Sequence, residues 1–148
     1  MEDKLIIAVD IDHTLRLSHW RDEHIEWAKE SGEWDTYHSL GIQDKPATQI
    51  IELVVAMHRA GHEIYVVTAI PRKWLRPVFS WLHKHGIKVE HDHLLMRPLG
   101  DDQFRPSPEL KQELVAHLDV DLFIDDREDV CSSFASIGVT TLQVRLVS

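Results

Sequence analysis

The sequence predicts an α/β fold, a three-layer doubly wound parallel sheet with helices on both faces. Three apolar runs rich in Val, Ile and Phe are typical of buried strands, at residues 5–9, 63–68 and 120–124. Between them lie stretches whose apolar residues recur at helical spacing. Strands that alternate with helices pair as a parallel sheet through right-handed crossovers. We therefore expect the carboxyl ends of these strands at one edge of the sheet.

Helix boundaries along the chain are marked by Thr, Pro and Gly. Thr48 is a candidate N-cap, and Gly61 would end that helix. Pro71 would open the next helix, which Gly86 closes. All these elements fit one domain over residues 1–148. The further elements that the pattern predicts are helices at 106–115 and 127–137 and strands at 87–89, 94–96 and 140–147.

The polar segment after the first strand, residues 16–45, carries three tryptophans seven residues apart, Trp20, Trp27 and Trp34. If the segment is helical, this spacing places the three rings on one face. Such a stripe packs a short helix onto the body or, alternatively, offers a platform on which bases stack. The segment is shorter than the roughly 50 residues of a small independent domain. We therefore expect a minimal cap insertion after the first strand and a cleft that remains open.

Composition and charge limit the possible functions. The chain has 148 residues, of which 43% are hydrophobic and 28% charged, as expected for one globular domain. Its formal net charge of −9 argues against the wrapping of long nucleic acid, which depends on Lys and Arg at the phosphates. A few local cations can still hold a single phosphorylated end.

Other features of the chain point to the cytoplasm. No apolar stretch approaches the roughly 20 residues that span a bilayer, and strand-like sequence from Leu5 leaves no room for a signal peptide. The single cysteine, Cys131, excludes an internal disulfide framework and is expected in the core. Most of the eleven histidines are expected to be solvated or to pack, because no cysteines accompany them as in structural zinc sites. We expect a cytoplasmic protein without a membrane anchor.

Polar residues end three of the expected strands, and they are residues suited to chemistry. Asp10 and Asp12 follow the first strand, Thr68 ends the second and Asp125 ends a later one. In open α/β sheets, ligands bind at the edge where the carboxyl ends of parallel strands meet. Lys111, near the start of the helix before Asp125, is placed to point into the same cleft.

This set of residues suits phosphoryl transfer. Carboxylates desolvated together cost free energy unless a counter-charge such as a divalent cation is present. An aspartate nucleophile splits hydrolysis into two steps, and a second aspartate can protonate the leaving group and later deprotonate water. Metal and lysine neutralise the phosphate oxygens. Simpler roles stay open, namely Thr68 as an ordinary strand residue, Lys111 as a solvated lysine replaced by Arg72 or Lys73, and Asp126 as a helix cap.

The run Asp10-Ile11-Asp12-His13-Thr14-Leu15 resembles the first motif, Asp-x-Asp-x-Thr, of haloacid dehalogenase (HAD) superfamily phosphatases. Thr68, Lys111 and Phe123-Ile124-Asp125-Asp126 resemble the second, third and fourth motifs in the same order. The resemblance implies that Asp10 is the nucleophile, that Asp12 is the acid and base, and that Thr68 and Lys111 bind the substrate phosphate. It also implies a Mg²⁺ ion, whose ligands would be Asp10, the backbone carbonyl of Asp12, Asp125 and either Asp126 or Asp129.

A narrower resemblance is to the 3′-phosphatase module of phage-type polynucleotide kinase-phosphatases. It is carried by Arg21 after the first motif, by Asp125-Asp126-Arg127 and by Ile137-Gly138-Val139. It implies that Arg21 binds the substrate phosphate. Because the sequence holds no kinase half, a separate kinase partner remains an option. Two positions depart from the modules: His13 stands where they usually carry Gly, and Thr68-Ala69-Ile70 where Ser-Gly-Arg is usual, with Arg72 slightly later.

The function expected from the sequence is Mg²⁺-dependent hydrolysis of phosphomonoesters through an aspartyl-phosphate, on 3′-phosphate ends of DNA or RNA. An open cleft admits such ends, whereas a small substrate needs a lid or a partner subunit to exclude water. One alternative is therefore a small-molecule phosphatase, such as a 5′(3′)-nucleotidase, closed by dimerisation. Another is a non-catalytic phosphate-binding module, which would not need Asp12. A phospho-accepting receiver domain is excluded, because here an acid pair follows the lysine instead of opening the chain.

Overall fold

The computed structural model describes residues 3–101 and 105–147. The strands of this part are β1 (Ile6–Val9), β2 (Arg16–Leu17), β3 (Lys45–Pro46), β4 (Glu63–Pro71), β5 (Leu94–Arg97), β6 (Leu122–Asp125) and β7 (Thr140–Gln143). Its α-helices are α1 (Glu23–Ser31), α2 (Asp35–Ser39), α3 (Thr48–Arg59), α4 (Leu75–Lys84), α5 (Ser107–Leu114) and α6 (Glu128–Ser136). Short 3₁₀ helices occupy His19–Arg21, Leu40–Gln43, Arg72–Trp74 and His91–His93.

Five strands form one parallel sheet in the order β5-β4-β1-β6-β7, with β1 at its centre. On one side Val9 of β1 stands opposite Val66 of β4, and on the other opposite Ile124 of β6. The chain builds outward from β1 through β4 and β5, and then in the other direction through β6 and β7. This topology confirms the predicted doubly wound α/β fold. It places the carboxyl ends of β1, β4 and β6 side by side, where such sheets bind ligands.

Successive side chains of β1 point to opposite faces of the sheet. Ile7 and Val9 belong to the larger core cluster, together with side chains of α3 and α4. Ala8 points the other way, into a second cluster that contains Phe123 and Phe134. Because both faces of the central strand are covered, its sequence is a continuous apolar run instead of an alternating pattern.

The insertion between β1 and α3 is not a single helix. β2 and β3 pair antiparallel at its two ends, and α1 and α2 lie between them. Gly32, whose φ is 73°, ends α1 in the left-handed conformation that glycine favours. Trp20 therefore precedes α1 and Trp34 follows it, so the prediction of one tryptophan face is wrong. The rings of Trp20 and Trp27 are 49% and 59% exposed.

Several boundaries differ from those expected from the sequence. β4 continues to Pro71, so α4 starts only after a 3₁₀ turn. Thr48 is the first residue of α3, because Ala47 holds the cap position and its carbonyl accepts the N–H of Ile51. Residues 87–89 form no strand, and β7 is shorter than predicted. None of these shifts alters the order of the sheet.

Two expectations about location can be compared with the structure. In the part of the chain that is described, no helix has both the length and the apolar character needed to cross a bilayer. Cys131 is buried in α6 as a free thiol, and its Sγ lies 3.6 Å from the carbonyl oxygen of Asp125. Burial raises the pKa of this thiol to about 11, so it stays protonated and packs as a small apolar side chain.

Replacement of Phe134 by Ala tests the second core cluster. The buried ring stacks on Phe123 with 4.1 Å between the centroids. We expect Phe134→Ala to lower the free energy of unfolding by about 3–5 kcal/mol, measured by urea denaturation. Ile137→Ala is the matched control, because Ile137 is 60% exposed and its loss should stay near 0.5 kcal/mol. Equal losses in the two variants would contradict the packing described.

Candidate active site

The carboxyl ends of the central strands open into a cleft of about 440 Å³. Asp10 directly follows β1, and Asp125 is the last residue of β6. Thr68 lies in β4, and Lys111 reaches the cleft from α5, the helix that precedes β6. The structure thus brings together four residues that are far apart in the sequence.

Lys111 is the positive charge at the centre of the site. Its Nζ lies 2.9 Å from Oδ1 of Asp10 and 2.7 Å from Oδ2 of Asp125, and the side chain is 3% exposed. Burial alone would lower the pKa of Lys111, but the two carboxylates outweigh burial and raise it above its ordinary value. The ammonium group therefore stays charged between two acids that would otherwise repel each other.

Three carboxylates form a compact cluster around this point. Asp10, Asp125 and Asp126 each place an oxygen within 4.8 Å of the others. Burial, followed by the charge of Asp125, raises the pKa of Asp10 well above its ordinary value. Burial, with a smaller contribution from Asp125, also raises the pKa of Asp126 to about 6. Because one ammonium group does not balance three acids, the cluster is suited to a further cation.

The cluster fits an ion of the magnesium type. Mg²⁺ binds oxygen ligands octahedrally at about 2.0–2.1 Å, so opposite ligands lie about 4.2 Å apart and neighbouring ones closer. The three carboxylates offer oxygen ligands that lie within 4.8 Å of one another, which suits such an ion. Asp129, the alternative ligand, binds the guanidinium of Arg127 at 3.0 and 2.7 Å instead. Asp126 is therefore the better placed of the two candidates.

Thr14 is a site residue to which the sequence alone assigned no role. Its buried hydroxyl lies 3.1 Å from Oδ2 of Asp10 and 3.3 Å from Oδ1 of Asp126. Since Lys111 binds the other oxygen of Asp10, contacts fix both oxygens of that carboxylate. The threonine of the first motif thus orients the aspartate that opens it.

Asp12 lines the cleft but belongs to a different charge network. Its Oδ1 accepts hydrogen bonds from Nε of Arg16 at 2.7 Å and from Nη2 of Arg21 at 2.9 Å. Burial alone would raise the pKa of Asp12, but the two guanidinium groups outweigh burial and hold it well below its ordinary value. Because both arginines bind the same oxygen, Oδ2 remains for a substrate.

Arg21 occupies a different place from the one expected. The sequence predicts it as a ligand of the substrate phosphate, but its side chain is fully buried and does not line the cleft. Besides Asp12, its donors bind Oδ2 of Asp44 at 2.6 Å and the carbonyl of Tyr37 at 3.1 Å. The guanidinium of Arg21 thus donates to acceptors of the protein itself, which corrects the prediction that it binds the substrate phosphate. Arg21 is instead placed to position Asp12.

Asp44 anchors this second network, although the sequence analysis did not identify it. Its fully buried carboxylate binds Arg21, Nε of Arg16 at 3.1 Å and Nε1 of Trp20 at 2.7 Å. Gly41 leaves room for this arrangement, since a Cβ there would lie 2.5 Å from Nη2 of Arg16. The sequence offers only a weak indication of this role, namely that Arg16 and Asp44 are opposite charges at the two ends of the insertion.

Thr68 lies within β4 and not at its end, because the strand continues to Pro71. The side chain is buried in the wall of the cleft. Its hydroxyl oxygen accepts the backbone N–H of Ile70 at 3.1 Å, so the hydroxyl proton is left to donate. Thr68 is thus placed to bind an oxygen of a ligand in the cleft.

The two residues that the sequence offered as alternatives to Lys111 lie outside the cleft. Neither Arg72 nor Lys73 lines the cleft, and Lys73 instead pairs with Asp35 at 2.6 Å. Other cationic side chains do line it, and the sequence analysis gave none of them a role. They are Lys29, Arg97, Arg105 and Arg127.

One wall of the cleft is aromatic and comes from the insertion. It is formed by Trp34, Tyr37 and His38. Nε1 of Trp34 and Nδ1 of His38 are buried, and neither has a hydrogen-bond partner within the described residues. Burial lowers the pKa of His38 to about 4, so its ring is neutral at pH 7. This wall offers flat apolar surface with unused polar atoms.

Comparison with known proteins identifies the family. The family model for the phosphatase domain of polynucleotide kinase PNKP matches residues 4–146. The chain belongs to this family. The match confirms the resemblance found in the sequence and, with it, the class of enzyme, a phosphoric monoester hydrolase of the HAD superfamily.

Solved structures share the fold. A chain in the structure of a Pnkp1/Rnl/Hen1 complex has a TM-score of 0.75 and 21% identity, over 97% of this chain and 47% of that one. The class C acid phosphatase of Bacillus anthracis with tungstate bound has a TM-score of 0.60 and 18% identity, over 93% of this chain and 62% of that one. These identities support a common fold and nothing finer.

A curated protein of Oceanobacillus iheyensis, which carries a provisional nucleotidase name, is 26% identical over 92 residues. The match covers 62% of this chain and 45% of that protein. The chain therefore spans only about half the length of this relative and of the Pnkp1 chain.

His13, which stands where the 3′-phosphatase modules usually carry Gly, has an unusual backbone conformation. Its φ is 63°, in the left-handed region that favours glycine, which those modules usually carry here. The ring is held by neighbours from the insertion: its Nε2 lies 3.5 Å from both Tyr37 and Asp22, and its centroid 4.4 Å from that of His19. Contacts with the insertion thus accompany the strained backbone.

Removal of the central ammonium group tests the charge balance of the site. Lys111→Met leaves Asp10 and Asp125 buried without their counter-charge. We expect the free energy of unfolding at pH 7 to fall by about 3–5 kcal/mol, measured by urea denaturation. Lys88→Met is the control, because this exposed lysine should contribute less than about 0.5 kcal/mol. A similar stability of both variants would show that Lys111 does not neutralise the acids.

Proposed function

We propose that the chain is a Mg²⁺-dependent phosphomonoesterase that acts through a phosphoryl group carried on Asp10. The observation that carries the proposal is the bridge from Lys111 to Asp10 and Asp125. It places the positive charge of Lys111 directly beside the carboxylate of Asp10 in the cleft. A phosphate group resists attack by an anion, so a nucleophilic carboxylate needs such neutralisation nearby.

In the first step an oxygen of Asp10 attacks phosphorus and the bond to the leaving oxygen breaks. Asp12 donates a proton to that oxygen through Oδ2. The arginine pairs favour the ionised form of Asp12, but the negative charge of a bound phosphate raises the pKa of a neighbouring carboxyl. In the second step Asp12 takes a proton from water, which attacks phosphorus and releases phosphate from Asp10.

Other side chains of the cleft would hold the phosphate during both steps. Thr68 would donate its hydroxyl proton to one oxygen, and Lys111 would lie beside another. Asp10, the backbone carbonyl of Asp12, Asp125 and Asp126 would hold Mg²⁺. When bound, the ion supplies positive charge to the phosphate oxygens as negative charge shifts among them.

The substrate that we propose is the 3′-phosphate end of a DNA or RNA strand. The family description supports it, as do the Pnkp1 structures, one of which is titled an RNA repair complex. A small insertion of this kind can admit the end of a long molecule. Its aromatic wall suits base stacking, and the cationic side chains that line the cleft would suit the phosphates next to the end. We further propose a cytoplasmic location and a kinase partner.

A 5′(3′)-nucleotidase is the second candidate, and the relative from Oceanobacillus iheyensis favours it. Such an enzyme would need a partner subunit to close the cleft over a small substrate. A non-catalytic phosphate-binding module is less consistent with the site, because the ordered contacts of Asp12 serve no purpose in a binder.

A panel of phosphorylated substrates tests the function. We expect purified protein with Mg²⁺ to release phosphate from a 3′-phosphorylated oligonucleotide faster than from nucleoside monophosphates or p-nitrophenyl phosphate. A chelator should abolish the release, and Asp10→Asn should lower kcat/KM at least about a thousandfold.

Asp119→Asn is a matched control for that variant, since Asp119 is an exposed residue outside the cleft and its replacement should leave the rate unchanged. Preference for a mononucleotide would overturn the proposed substrate class but would leave the proposed reaction unaffected. Activity that survives Asp10→Asn would overturn the reaction itself.

A further inference from the structure

A second group of potential metal ligands lies at the start of the insertion, separate from the carboxylate cluster. His13, His19 and Asp22 each place a ligand atom within 4.8 Å of the others. His13 comes from the loop after β1, His19 from the 3₁₀ turn, and Asp22 immediately precedes α1. Two imidazoles and a carboxylate form a typical set of ligands for a transition metal.

The hydrogen bonds of the three side chains account for only part of their arrangement: His19 reaches Asp22 at 3.0 Å, but His13 has no comparable partner within the described residues. Nδ1 of His13 is buried, and no described residue lies in hydrogen-bond contact with it. Its Nε2 reaches only 3.5 Å to Tyr37 and to Asp22, which is beyond a good hydrogen bond. Oδ1 of Asp22 is likewise buried without a hydrogen bond from the described residues. Nε2 of the half-buried His13 ring and Oδ1 of Asp22 therefore face each other at 3.5 Å with capacity to bind a further atom.

The spacing of the ligand atoms matches a tetrahedral site. Nδ1 of His19 lies 3.0 Å from Oδ2 of Asp22, and Nε2 of His13 lies 3.5 Å from Oδ1 of the same carboxylate. Zinc binds histidine nitrogen and carboxylate oxygen at about 2.0–2.2 Å, so two of its tetrahedral ligands lie about 3.3–3.5 Å apart. The spacings of these two pairs, 3.0 and 3.5 Å, are close to that value.

We propose that His13, His19 and Asp22 bind a transition-metal ion of the zinc, cobalt or nickel type. The carboxylate cluster at Asp10 offers only oxygen and suits Mg²⁺, whereas imidazole nitrogen selects the later divalent metals. The two sites are thus distinguished by their ligand chemistry. Three protein ligands leave a fourth position for water.

The ion would join two parts of the protein that shape the cleft. His13 follows Asp12 directly, and its strained backbone is fixed by the contacts of its ring. Asp22 begins α1, whose Ile25 and Lys29 line the cleft. A bound metal therefore fastens the insertion to the loop that carries Asp12.

Titration with Co²⁺ in saturating Mg²⁺ tests this proposal, because Co²⁺ bound to nitrogen ligands absorbs visible light in a way that oxygen-bound Co²⁺ does not. We expect the wild-type chain to bind one equivalent at this site. His19→Ala and Asp22→Asn should weaken binding at least about tenfold. His24→Ala is the matched control, since this neighbouring histidine pairs with Glu23 at 3.6 Å outside the proposed ligand set, and the variant should bind Co²⁺ as the wild type does.

Asp10→Asn separates the two sites, because it damages the carboxylate cluster and should leave the Co²⁺ spectrum and affinity unchanged. Circular dichroism of each variant shows that it is folded. Absence of a nitrogen-type spectrum in the wild type would overturn the proposal. Co²⁺ binding that survives His19→Ala and Asp22→Asn, or that is lost in Asp10→Asn, would overturn it as well.

Discussion

Repulsion among buried carboxylates at one edge of the sheet is the constraint on which the site depends. Three parallel strands end side by side, and two of them deliver Asp10 and the pair Asp125-Asp126 to nearly the same point. Folding can bring these charges together only with positive charge beside them. Lys111 supplies part of it, and the remainder makes the cluster a cation site. The same deficit of positive charge that disfavours the empty cluster thus favours the binding of a metal cation, whose charge would in turn attract a phosphate.

A second buried network controls the other acid. Oδ1 of Asp12 binds Arg16 and Arg21, which Asp44 holds in turn. Asp44 also receives the N–H of Trp20, and its carbonyl accepts the N–H of Trp81 at 2.9 Å. The insertion is therefore fastened to the core through the residue that positions Asp12. This coupling gives a small insertion a structural role in the site without a separate cap domain.

The sequence predicted the parts of the site that depend on strand order. Asp10 and Asp125 follow from apolar runs that stop at polar residues, and a parallel sheet brings such ends together. Thr68 was also expected at a strand end, but β4 continues past it to Pro71. The insertion was poorly predicted, because Gly32 divides what looked like one helical stripe. Arg21 was assigned to the phosphate because a motif records residue type and not the partner. Its partner, Asp44, lies 23 positions away in a segment without a regular pattern.

Rapid acid quenching of the reaction during turnover, followed by peptide mass spectrometry, tests the central claim most directly. If the charge balance around Asp10 serves catalysis, a phosphoryl group should be found on the peptide that contains Asp10, and fragmentation should place it on that residue. The adduct should be absent without substrate and in Asp10→Asn. Turnover with no phosphoryl group on the chain, or one attached to another residue, would contradict the account.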